Sequence, residues 1–161
     1  MNAKTLFAAL FLIFGFLGAS SPGFSQQSPP ESPKAKQIVA LVDKAAALID
    51  SKGKSVFPEF RKAGSEWRSD DTYLFVTDME GRNLVNGAFP KFEGTDTSGL
   101  KDAKGKPIVQ DQIEVARSKG SGWVDYMWPK PGQTEPSQKW SYVKAVKVDG
   151  DPAFVGAGFY P

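Results

Sequence analysis

The stretch spanning residues 120–160 constrains the fold more than any other part of the chain. Three runs rich in aromatic and β-branched residues, 120–129, 138–148 and 153–160, are separated by a polar loop carrying Pro131-Gly132 and by Asp149-Gly150-Asp151. That is the composition of strands joined by turns, and three consecutive antiparallel strands follow from it. Side chains alternate between the two faces of a strand. Val124, Tyr126 and Trp128 therefore share a side, as do Tyr142, Lys144 and Val146, and as do Phe154, Gly156, Gly158 and Tyr160. Two glycines on one face leave space there. The expectation is a hollow above Gly156 and Gly158 walled by Tyr126, Trp128, Tyr142 and Lys144, a set of aromatic edges with one cation that suits a small anion or a polar organic molecule. The same residues equally suit a packed face, with the glycines relieving crowding against a helix.

Upstream, the periodicity changes. Ile38, Val39, Leu41, Val42, Ala45, Ala46, Leu48 and Ile49 recur at helical spacing until Gly53, which predicts a long amphipathic helix from residue 35. A shorter helix is predicted over 54–62, with Phe57 and Phe60 inward and Gly64 as its stop. Residues 73–78 and 83–86 then read as two strands joined by the Met79-Glu80-Gly81-Arg82 turn. Residues 87–106 are irregular, and 107–118 resume helical spacing through Ile108, Val109, Ile113 and Ala116. The predicted fold is α+β. A PAS-like five-stranded antiparallel sheet carries the long N-terminal helix on one face and a helix/loop crossover segment on the other, with ligand space between sheet and crossover.

The chain of 161 residues suits one folded domain. Lys4, an apolar run over 6–17 and a small, polar segment to Ser25 form a secretory signal peptide at 1–25, and the apolar run is shorter than the ~20 residues needed to cross a bilayer. Residues 26–34, which contain three prolines, read as a flexible linker, leaving 35–161 as the domain. A periplasmic or secreted protein without a membrane span after leader cleavage is expected. With no Cys and no His, thiolate and imidazole catalysis, Cys/His zinc sites and His-ligated haem are excluded. The 20 basic and 18 acidic side chains nearly cancel and form no continuous basic stripe, so no nucleic-acid partner is expected. Paired carboxylates, Asp70 or Asp71 with Asp78 or Asp125, are the remaining catalytic option. Nothing in their spacing brings two together, and the reading is a non-enzyme without a cofactor.

Taken together, Phe57-Pro58-Glu59-Phe60-Arg61, the 73–81 segment, Leu100 to Pro107, Gly120-Ser121-Gly122-Trp123-Val124-Asp125-Tyr126, Lys139 with Tyr142-Val143-Lys144, and Gly156-Ala157-Gly158-Phe159-Tyr160 resemble the single Cache domains, extracytoplasmic PAS-like sensor modules of chemoreceptors and histidine kinases. The resemblance runs from about residue 35 to 160. It implies a pocket for a small organic ligand, such as a short carboxylate, with Phe60, Trp67, Phe75, Trp123, Tyr126, Trp128, Tyr142 and Lys144 as ligand-binding residues. Asn86-Gly87-Ala88-Phe89-Pro90 stands where many relatives carry a basic or His-containing segment. Relatives in receptors continue into a membrane helix and a signalling module, whereas this sequence stops at Pro161. The expectation is therefore a binding module without its own output domain, working through a separate membrane receptor or histidine kinase. The alternative is a structural module that docks on such a receptor, with Trp128-Pro129-Lys130-Pro131-Gly132 as an exposed tip.

Overall fold

The computed structural model describes Ser28, Pro29 and residues 31–161. The predicted signal peptide and residues 26, 27 and 30 of the predicted linker lie outside the described residues. Helix α1 (Pro33–Lys52) opens with Ser32, whose Oγ accepts from the Ala35 N–H at 3.1 Å, and with Pro33 in the first turn, where its missing N–H costs nothing. It ends at Gly53, which adopts φ 58°. A Cβ at that position would lie within 1.6 Å of the Asp149 carboxylate, so glycine is required on two counts.

The second predicted helix is shorter than its periodicity suggested. A 3-10 turn (Gly53–Val56) leads into a single turn, α2 (Phe57–Phe60), which buries Phe57 and Phe60. The strands are β1 (Arg68–Ser69), β2 (Thr72–Asp78), β3 (Asn83–Asn86), β4 (Ser121–Pro129), β5 (Pro136–Val148) and β6 (Asp151–Phe159). Their order is β1-β2-β6-β5-β4, with β3 beside β2, and every pairing is antiparallel. The two-residue β1 is the addition to the five expected strands. Between β3 and α3 (Ile108–Lys119), the chain runs as a crossover with one 3-10 turn (Pro90–Phe92).

The sheet separates two cores. On one face, Ile38, Val42, Ala45, Ala46 and Ile49 of α1 pack against Leu74, Val76, Val146, Val155 and Ala157. Full burial of Ile38, Val42 and Ile49 contributes on the order of 1.5–3 kcal/mol each. On the other face, Val109, Ile113 and Ala116 of α3 pack on Tyr73, Phe75, Val143 and Phe154. The long helix and the crossover thus cover opposite faces, as expected for this α+β layering.

Candidate ligand-binding site

The β5–β6 pairing decides which side chains look toward α3. Val148 pairs with Asp151 across the two-residue Asp149-Gly150 turn, and the ladder continues through Lys144 with Val155, Tyr142 with Ala157 and Ser141 with Gly158. Directly paired residues share a face. Tyr142 and Lys144 therefore lie with Ala157 and Val155 on the α1 side, and the glycine face of β5 carries Lys139, Ser141 and Val143.

Neither glycine leaves an empty space. A Cβ at Gly156 would meet the Phe75 ring at 2.5 Å, and one at Gly158 would meet the Ser141 Oγ at 2.4 Å and the Lys139 Cε at 2.7 Å. Gly158 is the notch across which the Lys139 stem runs. Its amine, on a side chain only 1% exposed, donates to the Tyr73 hydroxyl at 2.8 Å and lies 3.9 Å from the Tyr73 ring centre. The rings of Tyr160, Phe75 and Tyr126 stand 5.5, 5.8 and 5.9 Å away. Burial lowers the Lys139 amine to about 7, opposed by the negative charge of Asp71. Asp71 itself is ion-paired with Lys130 at 3.3 Å.

Around this amine the phenols are held in fixed orientations. Tyr126 shares a hydrogen bond of 2.9 Å with Ser141 and is pushed up to about 12 by burial. Tyr160 donates to the Pro129 carbonyl at 2.8 Å. Burial also raises Tyr73 well above the ordinary tyrosine range. All three phenols stay neutral near pH 7.

Beyond these side chains, between the sheet and the crossover, lies a cavity of about 50 Å³. Tyr73, Phe75 and Thr77 of β2 form its floor, Asn83 and Asn86 of β3 one flank, Tyr126 and Trp128 of β4 the other, and Leu100, Ile108, Val109 and Gln112 part of its roof. At roughly 10–15 Å³ per water-sized sphere, this is room for a molecule of only a few non-hydrogen atoms. A wider furrow of about 540 Å³ runs between the start of α1 and Trp123, but its charged lining residues Glu31, Lys36 and Asp43 are exposed. Among the described residues, no group of carboxylates is arranged to hold a metal ion.

Of the eight ligand-binding residues expected from sequence, Phe75, Tyr126 and Trp128 line this cavity. Phe60 and Trp67 pack against each other, tilted by 60° with ring centres 5.2 Å apart, within the α1-side core. Trp123 and Tyr142 pack together at 5.3 Å on that same side, where Tyr142 also donates to the Ser121 hydroxyl. Lys144 lies there too, ion-paired with Asp43 at 2.6 Å. The expected hollow with Lys144 is thus corrected in both respects. The glycine space is occupied by Phe75 and Lys139, and the buried cation is Lys139. The tip residue Trp128 turns inward, with Phe89 and Phe92 each 5.8 Å from its ring.

Comparison with known proteins agrees with this fold. A model of the Cache domain family matches residues 47–160. The methyl-accepting chemotaxis protein McpP of Pseudomonas putida is 33% identical over 90 residues, which are 56% of this chain and 16% of that protein. The sensor histidine kinase MctS of Rhizobium johnstonii is 32% identical over 90 residues, 56% of this chain and 19% of that protein. The matched segment is thus under a fifth of either relative's length. Among solved structures, the periplasmic sensor domain of a chemotaxis protein is 32% identical and superposes with a TM-score of 0.61 over 76% of this chain and 86% of that one. A Cache chemosensory domain, solved for the structural basis of its carboxylic acid recognition, is 27% identical with a TM-score of 0.67 over 79% of this chain and 92% of that one. Matched along more than half its length and built on the same layered sheet, the chain belongs to the Cache domain family.

Proposed function

We propose that this protein is an extracytoplasmic sensor-type Cache domain that binds a short carboxylate in the cavity under α3, and that it serves a membrane receptor or histidine kinase. The observation that carries the reading is Lys139, a buried amine bonded to the hydroxyl of Tyr73, which itself lines a cavity sized for a few atoms. A ligand carboxylate supplies the negative charge that a buried ammonium requires, and the Tyr73 hydroxyl adds a neutral donor beside it. The aromatic walls Phe75, Tyr126 and Trp128 exclude water and limit the length of the acyl chain. The carboxylic acid recognition of one structural relative and the receptor and kinase relatives support the same ligand class and the same kind of partner.

The test is isothermal titration of protein comprising residues 26–161 with acetate, propionate and butyrate, in parallel with Lys139→Met. The expected result is saturable binding by wild type and a loss of at least a hundredfold in affinity for the variant. Equal binding by both proteins, or no binding of any acid by wild type, overturns the reading. Circular dichroism of the variant separates loss of the site from loss of the fold.

A further inference from the structure

Most polar side chains that line the cavity have their hydrogen-bonding atoms engaged by the protein. The Asn86 Oδ1 accepts from the Phe89 and Ala88 N–H groups, and the Thr97 hydroxyl donates to the Gly81 carbonyl at 2.7 Å. Asn83 differs. Its Nδ2 donates to the Thr77 hydroxyl at 3.3 Å, its backbone N–H bonds the Thr95 carbonyl and its carbonyl accepts from Gly94, but its Oδ1 is buried with no partner. The residue is 5% exposed and lines the cavity. A buried acceptor without a donor is a cost that a folded chain ordinarily avoids, and a donor arriving with a ligand removes that cost.

The position of Asn83 says where on the ligand the donor must be. Tyr73, Phe75 and Thr77 follow one another along one face of β2, and Asn83 pairs with Thr77. Lys139 meets the floor at Tyr73, four residues of strand from Thr77, or roughly 13 Å between backbone positions. Tyr73, whose hydroxyl holds the Lys139 amine, and the free acceptor thus stand at opposite ends of the same floor. No Asp or Glu lines the cavity. A neutral donor suits the Asn83 end, whereas an ammonium would be desolvated there with no counter-charge.

We propose that Asn83 is a specificity-determining residue and that the preferred ligand is a short acid carrying a hydroxyl at the end remote from its carboxylate. This rests on the carboxylate reading above and extends it from one end of the cavity to both. Discrimination by one neutral hydrogen bond to an otherwise orphaned buried acceptor amounts to about tenfold or more in affinity.

The experiment titrates wild type, Asn83→Leu and Asn83→Asp with propionate, lactate, 3-hydroxypropionate and β-alanine, with butyrate and 4-hydroxybutyrate as the longer pair. Wild type is expected to bind the terminally hydroxylated acid of at least one pair about tenfold more tightly than the plain acid. Lactate, with its hydroxyl beside the carboxylate, should gain less, and β-alanine should bind more weakly than 3-hydroxypropionate. Asn83→Leu should lose the preference for hydroxylated over plain acids, while Asn83→Asp, which keeps an acceptor, should still bind hydroxylated acids more tightly than plain ones. Plain and hydroxylated acids binding wild type alike, an unchanged preference in Asn83→Leu, or β-alanine as the tightest ligand overturns the inference and leaves the carboxylate reading standing. No binding of any acid removes both. Circular dichroism shows whether Asn83→Leu is folded, and the ratio of affinities for hydroxylated and plain acids is the readout.

Discussion

Lys139 is the residue at which the proposed ligand response and the pH dependence of stability meet. The groups facing its amine are Tyr73 and Phe75 from β2, Tyr126 from β4 and Tyr160 after β6, with Asp71 engaged by Lys130. Its amine is lowered to about 7, against about 10.4 for a lysine in an unfolded chain. Between these values the unfolded chain binds the proton and the folded one does not. Stability of the free protein therefore rises with pH across that window, by at most about 1.4 kcal/mol per pH unit, and this contribution levels off below pH 7. Urea unfolding at pH 7, 8 and 9 should show this rise in wild type and a flatter profile in Lys139→Met. The same midpoint shift in both proteins would mean that another group titrates. Ligand affinity should change the opposite way. A carboxylate stabilises the ammonium and raises its pKa, so binding takes up a proton and weakens by up to about tenfold per unit above pH 7.

At the scale of the element, the β5–β6 hairpin explains both what was legible in the sequence and what was not. The alternation of apolar and aromatic residues in three C-terminal runs and the helical spacing of Ile38, Val42, Ala45 and Ile49 were sufficient for the layers and the succession of elements along the chain, because burial of one face imposes a period on the sequence. Which face of β5 shares a side with Gly156 is a separate question, fixed by register. Asp149 and Gly150 have φ of 53° and 97°, the two positive values of a tight two-residue turn, and this loop length pairs Val148 with Asp151. Counting back places Tyr142 opposite Ala157, so the correct face was readable from the loop length. A slip of one residue exchanges the faces, which is how Lys144 was expected in place of Lys139. Asn83 had no comparable signal, because an orphaned acceptor depends on contacts from the crossover. The Lys144–Asp43 pair, with side chains 39% and 48% exposed, ties β5 to α1 on the face away from the cavity. Lys144→Ala should change stability by less than about 1 kcal/mol and leave carboxylate affinity as it is. A tenfold loss of affinity in that variant, measured by titration, would return the site to the α1 face.

For the whole molecule, the two faces of the sheet have different work. The α1 face is a closed core in which Ile38, Val42, Ile49, Leu74 and Val155 are at most 1% exposed. The opposite face holds the cavity, and its roof is α3 together with the irregular crossover, which is fastened by side-chain and turn hydrogen bonds. Arg61 forms a two-pronged ion pair with Glu93 at 2.8–3.1 Å, and Asp102 accepts from the N–H groups of Lys104, Lys106 and Met127. A segment with few regular backbone hydrogen bonds opens locally at lower cost than a packed helix. In the proposed binding mode an acid would touch floor and roof together, its binding free energy would be lost whenever the roof opens, and it would therefore suppress that opening. Hydrogen exchange with and without saturating carboxylate should therefore show new protection over residues 90–113. Protection over residues 38–49 should be unchanged, since the sheet lies between α1 and the ligand. The reverse pattern, protection confined to α1, would place the ligand in the furrow beside Trp123. Protection of both would mean that the sheet passes the binding event to the helix on its far side, and the response would then vanish from both segments in Lys139→Met.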